Sequence, residues 1–232
     1  MRKFLHSKEV VRTKAESNYL KDPSLFRIYT AKYNFFNVID TEEKAYWLGF
    51  ITADGHISDR ELRIQLSIKD KNHLEKFLTA IESTHPIYDY ETSSLVAIKS
   101  REIAKDLHRY GLTSTKTYSV KPHLLPKNLS RHYWRGIFDG DGHIAYHNNS
   151  NRKNYSGFHC ILCGTKDICA GFKNFLNKNG IETNSAILPI RDTAAYKFAT
   201  SGNQIVKSIH SLLYDYSNVS LDRKREVVCR GF

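Results

Sequence analysis

Tyr46-Trp47-Leu48-Gly49-Phe50-Ile51-Thr52-Ala53-Asp54-Gly55-His56-Ile57 returns 87 residues later as Tyr133-Trp134-Arg135-Gly136-Ile137-Phe138-Asp139-Gly140-Asp141-Gly142-His143-Ile144. Seven of the twelve positions are identical, and both tryptophans of the chain stand at the same place in the repeat. The two stretches are therefore copies of one structural unit. Each reads as an apolar helix stopped by a glycine, Gly55 or Gly142. Small residues recur four apart on it, Gly49 and Ala53 in the first copy, Gly136 and Gly140 in the second. Positions i and i+4 share a helix face, and a face of small residues lets two backbones approach closely. The two helices are expected to pack on each other about a pseudo-twofold axis.

The segments downstream of each copy also correspond. After the first, Leu62 to Lys69 alternates apolar and polar residues, the period of a half-buried strand, and His56 to Ser58 can pair with it through a turn at Asp59-Arg60. This alternation sends Leu62, Ile64, Leu66 and Ile68 to the core, and Arg63, Gln65, Ser67 and Lys69 to the opposite face. Asp70 is the expected N-cap of a helix carrying Leu74, Phe77, Leu78 and Ile81. Residues 87–91 and 95–99 read as a second hairpin. Ser100 caps a further helix with Ile103, Ala104 and Leu107 inside, and Gly111 ends it.

The second copy repeats this order. Strands are expected at 143–147 and 155–163 around the polar loop 148–154, then a helix opening at Lys166-Asp167 with Phe172, Phe175 and Leu176. Strands near 185–190 and 196–199 and a helix with Ile205, Ile209, Leu212 and Leu213 complete it. Apolar residues fall on both faces of 158–163, which leaves that strand's register open.

The fold class is therefore α+β, two pseudo-symmetric halves of helix, hairpin, helix, hairpin, helix. Residues 1–40 form a basic N-terminal extension, 41–116 the first half, 117–130 a linker with Pro122 and Pro126, and 131–232 the second half. The extension holds eight Lys or Arg against four acids. It reads as a DNA-contacting arm, a small helical prelude or a solvated extension.

Composition bounds the function. The chain has 232 residues, enough for one large domain or two small ones with a true core. No run approaches the ~18 apolar residues of a membrane helix, and the basic start Met1-Arg2-Lys3-Phe4-Leu5-His6 lacks the apolar stretch of a secretory signal. Lys and Arg number 35 against 24 acids, a formal charge of +11, which points to a polyanionic partner, nucleic acid first. Cys160 and Cys163 have the spacing of a zinc knuckle but no second pair completes it. Positions three apart on a strand also face opposite sides. Reduced thiols are expected for these and for Cys169 and Cys229, in an intracellular reducing compartment, cytoplasmic or organellar.

The helix stops place Asp54 and Asp141 at helix C-termini, where the macrodipole disfavours a carboxylate. Packing the helices side by side brings the two carboxylates together. Two like charges so placed call for a cation, and hard oxygen ligands suit Mg²⁺. Asp139-Gly140-Asp141-Gly142-His143 also resembles the start of a calcium loop, but Ile144 stands where that loop needs glycine.

Residues 47–55 and 134–142 resemble the two LAGLIDADG motifs of a monomeric, double-motif homing endonuclease, a likeness that extends over about residues 41–232. The resemblance implies two αββαββα halves with the motif helices at their interface and the sheets forming a DNA-binding saddle. It implies two or three divalent ions shared between the halves, Mg²⁺ with Mn²⁺ able to substitute. Asp54 and Asp141 are the implied metal ligands, and the carbonyls of Ala53 and Gly140 secondary ones. Thr52 replaces an acid that the second motif keeps as Asp139; little catalytic consequence is expected from that difference. Lys116 and Lys224 match lysines that approach the active site late in each repeat.

DNA contacts are expected from Arg63, Gln65, Ser67 and Lys69 on one sheet face, and from Lys99, Arg152, Lys153, Arg191 and Lys197. Arg and Lys suit guanine, and Gln suits adenine. The resulting expectation is a monomeric endonuclease that cuts both strands of a long, non-palindromic DNA site. The alternatives on the same scaffold are a non-catalytic DNA-binding regulator and a maturase that binds intron RNA.

Overall fold

Thr41 opens the first motif helix: its hydroxyl accepts the Lys44 N–H, and Glu42 and Glu43 occupy the positive end of the dipole. From there the computed structural model, which describes residues 28–147 and 156–227, runs through two similar halves. The first comprises α1 (Glu42–Asp54), β1 (Gly55–Ser58), β2 (Glu61–Ser67), α2 (Lys71–Ala80), β3 (Tyr88–Asp89), β4 (Ser93–Lys99), α3 (Arg101–Arg109) and the short α4 (Lys116–Ser119). The second comprises α5 (Lys127–Asp141), β5 (Gly142–His147), β6 (Gly157–Gly164), α6 (Lys166–Lys178), β7 (Ile187–Pro189), β8 (Tyr196–Ser201), α7 (Asn203–Tyr214) and the short α8 (Asp222–Arg225).

Two four-stranded antiparallel sheets result, ordered β1-β2-β4-β3 and β5-β6-β8-β7. The repeat seen in sequence is thus a repeat of topology. The fold is α+β, two pseudo-symmetric αββαββα halves.

The small-residue face does what its spacing suggests. A Cβ built on Gly49 would lie 2.0 Å from the Tyr133 carbonyl oxygen, and one on Gly136 2.1 Å from that of Tyr46. Only hydrogen fits at the crossing of α1 and α5. Arg135, wholly buried in this interface, donates from Nε to Val219 O at 2.8 Å and from Nη1 to Leu213 O at 3.1 Å. Its Nη2 donates to Glu42 Oε1 at 2.7 Å, so one guanidinium ties α1, α5 and the chain after α7.

Side-chain caps open α1, α3 and α6. Ser100 Oγ accepts Ile103 N–H at 3.2 Å, and Thr165 Oγ1 accepts Ile168 N–H at 3.1 Å. Three expectations are corrected. The strand β2 stops at Ser67, and residues 68–70 form a single 3₁₀ turn. Ile68 is consequently exposed rather than in the core, and Lys69 leaves the sheet face. Asp70 makes no cap bond to α2, because its carboxylate accepts both bonds from Arg223 Nε at 2.9 Å. Gly55 and Gly142 end their helices with negative φ. A Cβ there would strike Ile51 and Phe138 at 2.6 and 2.5 Å, so space rather than a left-handed turn selects glycine.

The open register of β6 is resolved. Phe158, Cys160 and Leu162 face the core, while His159, Ile161 and Cys163 share the outer face.

Candidate active site

The ends of α1 and α5 meet where the glycine faces cross. Gly140 sits so close to the first motif that a Cβ on it would be 2.3 Å from Ala53 Cβ and 3.3 Å from Asp54 Oδ2. Asp54, half-buried, and Asp141, open to solvent, are thereby neighbours. Burial and the proximity of Asp141 push the Asp54 carboxyl up from 3.8 to about 6, against the pull of Lys224 and Lys116. Although Asp141 reaches solvent, the protein packed around its carboxyl partly desolvates it and raises it, opposed by the same two lysines. Among the described residues, neither carboxylate accepts a hydrogen bond.

Lys116 and Lys224 are both buried. Lys116 Nζ donates to the carbonyls of Thr52 and Ala53 at 2.6 and 2.8 Å. Lys224 Nζ donates to those of Phe138, Asp139 and Gly140 at 3.0, 2.5 and 3.0 Å. Each lysine therefore closes the C-terminal carbonyls of its own motif helix, where the macrodipole favours a cation. Burial lowers both ammonium groups, Lys224 to about 8. Two carboxylates without donors, flanked by helix-end carbonyls of Ala53 and Gly140, form an all-oxygen set suited to a hard divalent cation. A carbonyl oxygen has two lone pairs, so the lysine bonds leave each of these oxygens one acceptor position.

The outer sheet faces flank this centre. On the first, the register aligns Arg63 with Ala97, Gln65 with Leu95, Ser67 with Ser93 and Glu61 with Lys99. Arg63, Gln65, Ser67 and Lys99 are exposed together. Two features went unread in the sequence. Glu61 shares this face and pairs with the Arg63 guanidinium, and Gln65 Nε2 donates to Ser93 Oγ at 2.9 Å. Lys69 stands apart, beside Asp70 and Arg223 in a cleft between the halves.

The second face differs in chemistry. His143, Ala145 and His147 on β5 lie opposite Ile161, His159 and Gly157 on β6, with Cys163 opposite Lys197 on β8. Lys197 is exposed on it, and Arg191 lies in the turn between β7 and β8 beside Asp192. Arg152 and Lys153 lie outside the described residues, as do residues 1–27.

Asp139, from which little catalytic consequence was expected, is densely bonded. Asp139 is buried and accepts three hydrogen bonds: Tyr46 O–H at 2.7 Å, Tyr214 O–H at 2.5 Å and Leu221 N–H at 2.7 Å. Burial raises its carboxyl, and these donors and Lys224 oppose the rise. Its counterpart Thr52 donates to Leu48 O within its own helix at 2.7 Å. The visible signal was an acid directly after the apolar pair Ile137-Phe138; its partners lie 75 to 93 residues away in the chain.

The molecule resembles solved structures of LAGLIDADG homing endonucleases. I-GzeII in complex with its DNA target is 14% identical, with a TM-score of 0.58 over 79% of this chain and 87% of that one. I-LtrWI bound to target DNA is 12% identical, with a TM-score of 0.57 over 85% and 90%. A mutant of I-SmaMI gives 0.60 at 12% identity over 80% and 89%. No family profile matches the sequence. Among curated proteins, the replication factor C small subunit of Methanocaldococcus jannaschii is 27% identical over 134 residues, 52% of this chain. The matched region spans 7% of that protein's length.

Proposed function

From the LAGLIDADG homing-endonuclease fold of this chain, we propose that it is a site-specific DNA endonuclease, hydrolysing one phosphodiester in each strand of a long, non-palindromic site. The observation that carries this reading is the pairing of Asp54 and Asp141. Two inequivalent halves bring their carboxylates together, raise both pKa values, and, among the described residues, supply neither with a donor. A protein gains nothing in stability from that arrangement, whereas an ion-binding centre requires it.

Asp54 and Asp141 would hold the divalent ions, with the Ala53 and Gly140 carbonyls as further ligands and Mg²⁺ as the working ion. A bound ion supplies Lewis-acid polarisation of the phosphodiester and neutralises its charge. Lys116 and Lys224 hold the ligand-bearing helix ends in place and add positive charge beside the phosphate, where negative charge develops in the transition state. The outer sheet faces position the duplex. Arg63, Gln65 and Lys99 address one half-site, and Lys197 with the histidines of β5 and β6 addresses the other, so an asymmetric target follows from unlike faces. Both motifs reside in one chain, and a monomer completes the site.

The test begins with selection of bound duplexes from a random library in Ca²⁺, with recovered sites then incubated in Mg²⁺ or Mn²⁺. Double-strand cutting by the wild type and not by the Asp54→Asn/Asp141→Asn double variant supports the proposal. Specific binding without cutting would make the chain a regulator. No duplex binding, with retention of intron RNA, would make it a maturase.

A further inference from the structure

Resting on the cleavage reading, we propose that Asp139 is a positioning residue: through the backbone N–H of Leu221 it fixes the turn that lays Lys224 over the end of α5. Leu221 immediately precedes α8, and three residues later Lys224 spans the carbonyls of residues 138–140. The carboxylate that anchors the turn and the carbonyls that receive the ammonium thus belong to the same stretch of helix. The loop closes on itself around Asp139.

Arg135 Nε holds the chain upstream at Val219 O and His210 Nε2 meets Arg225 O at 2.8 Å beyond it, but the side-chain bonds made by Asp222 and Arg223 themselves are more exposed. Asp222 accepts from Lys76 Nζ at 2.6 Å and from Asn72 Nδ2 at 2.9 Å, and Arg223 reaches Asp70. The side chains of Lys76, Asp222 and Arg223 are 35%, 46% and 55% exposed, and exposed ion pairs contribute little. The Asp139–Leu221 bond is buried and charge-assisted, the stronger class. Tyr214 and Tyr46 complete the anchor from α7 and α1. Tyr46 belongs to the other half, and its O–H is in turn 2.9 Å from His73 Nε2. Since the Tyr46 proton goes to Asp139, His73 must donate from Nε2, and among the described residues its Nδ1 has no partner.

The two halves differ here. The Thr52 carbonyl receives Lys116, but among the described residues its side chain bonds Leu48 O in its own helix rather than a backbone N–H of the segment bearing Lys116, where Val120 O accepts from Thr165 Oγ1 at 2.7 Å. On this proposal the Thr52/Asp139 difference matters, because it gives the second half a buried carboxylate anchor where the first half has a hydroxyl.

The direct test is competitive acetylation of lysines in the full chain, read by mass spectrometry, on Asp139→Thr, Asp139→Asn and Tyr214→Phe. Thr restores the residue of the first motif and removes the acceptor of Leu221 N–H; Asn keeps an acceptor. Lys224 labelling should rise about tenfold in Asp139→Thr, while Lys116, equally buried, changes less than twofold. Asp139→Asn should return Lys224 close to wild-type protection, and Tyr214→Phe, the milder lesion, should raise it about threefold. Unchanged Lys224 labelling, or equal rises at both lysines, would overturn the proposal.

Kinetics supply the second arm. Asp139→Thr should lower kcat about tenfold with DNA affinity in Ca²⁺ unchanged, and should add less than twofold once Lys224→Met is present. Losses that multiply would refute positioning through Lys224. Should the wild type fail to cut DNA, the cleavage reading falls while the labelling result still decides the role of Asp139.

Discussion

Asp54→Asn should make the metal-free protein more stable. The rise of the Asp54 carboxyl from 3.8 to about 6 corresponds to about 3 kcal/mol against the ionised form, at ~1.4 kcal/mol per pH unit. The side chain is half-buried, and solvent screening reduces the usable figure to about 1–2 kcal/mol. The folded state binds the proton more tightly than the unfolded state. The favourable contribution is therefore complete below about pH 4 and lost as pH rises through about 6. Asn has the same shape without the charge, so it removes the penalty that remains at neutral pH. In chelator at pH 7.5, Asp54→Asn should melt roughly 3–6 °C above wild type, and the gap should close near pH 4. Addition of Ca²⁺ should then stabilise wild type and not the variant. Thermal melts at the two pH values, with and without Ca²⁺, provide the readout. A variant no more stable than wild type at pH 7.5 would refute the electrostatic reasoning.

Divalent affinity of the wild type, measured by calorimetric titration, should fall about tenfold between pH 7.5 and pH 5, because Asp54 takes up a proton near pH 6; a pH-independent affinity would contradict this. Gly49→Ala forces a methyl to 2.0 Å from the Tyr133 carbonyl, and chemical denaturation should show a loss of about 2–3 kcal/mol. Glu61→Gln releases Arg63 from its carboxylate partner; DNA binding should tighten several-fold, with the salt dependence of log K steepening by about one. Arg63→Ala should relax base preference in one half-site, at a cost of about 1–3 kcal/mol, and leave the other half-site unchanged. Selection with the variant would show it.

The repeat made the architecture legible before any coordinates. Identical Tyr, Trp, Gly, Asp and Gly positions fixed the pairing of the motif helices, and alternation at 62–66 fixed the face of β2. Local patterns failed where distant partners intervened. Asp70 has the composition of a cap, but Arg223, far along the chain, takes its carboxylate. The alternation through Ile68 and Lys69 continues past the point where the backbone turns into a 3₁₀ helix. In the site, Asp54 and Asp141 were legible because helix end, glycine and repeat coincide. The bonding of Asp139 was not: Tyr214 and Leu221 reach it from later in its own half, and Tyr46 only through the packing of the two halves. Glu61 went unread as a partner of Arg63 because the strand was expected to begin at Leu62; β2 begins at Glu61, and its two-residue period sets the two side chains on one face.

The most direct test of the account is strand-resolved cleavage of a selected target labelled at both ends, in Mg²⁺, by the wild type and the Asp54→Asn/Asp141→Asn double variant at equal DNA occupancy. The account predicts a single break in each strand for the wild type and intact DNA for the variant. Cleavage by the double variant at the wild-type rate, or none by the wild type on a duplex that it binds specifically, would contradict it.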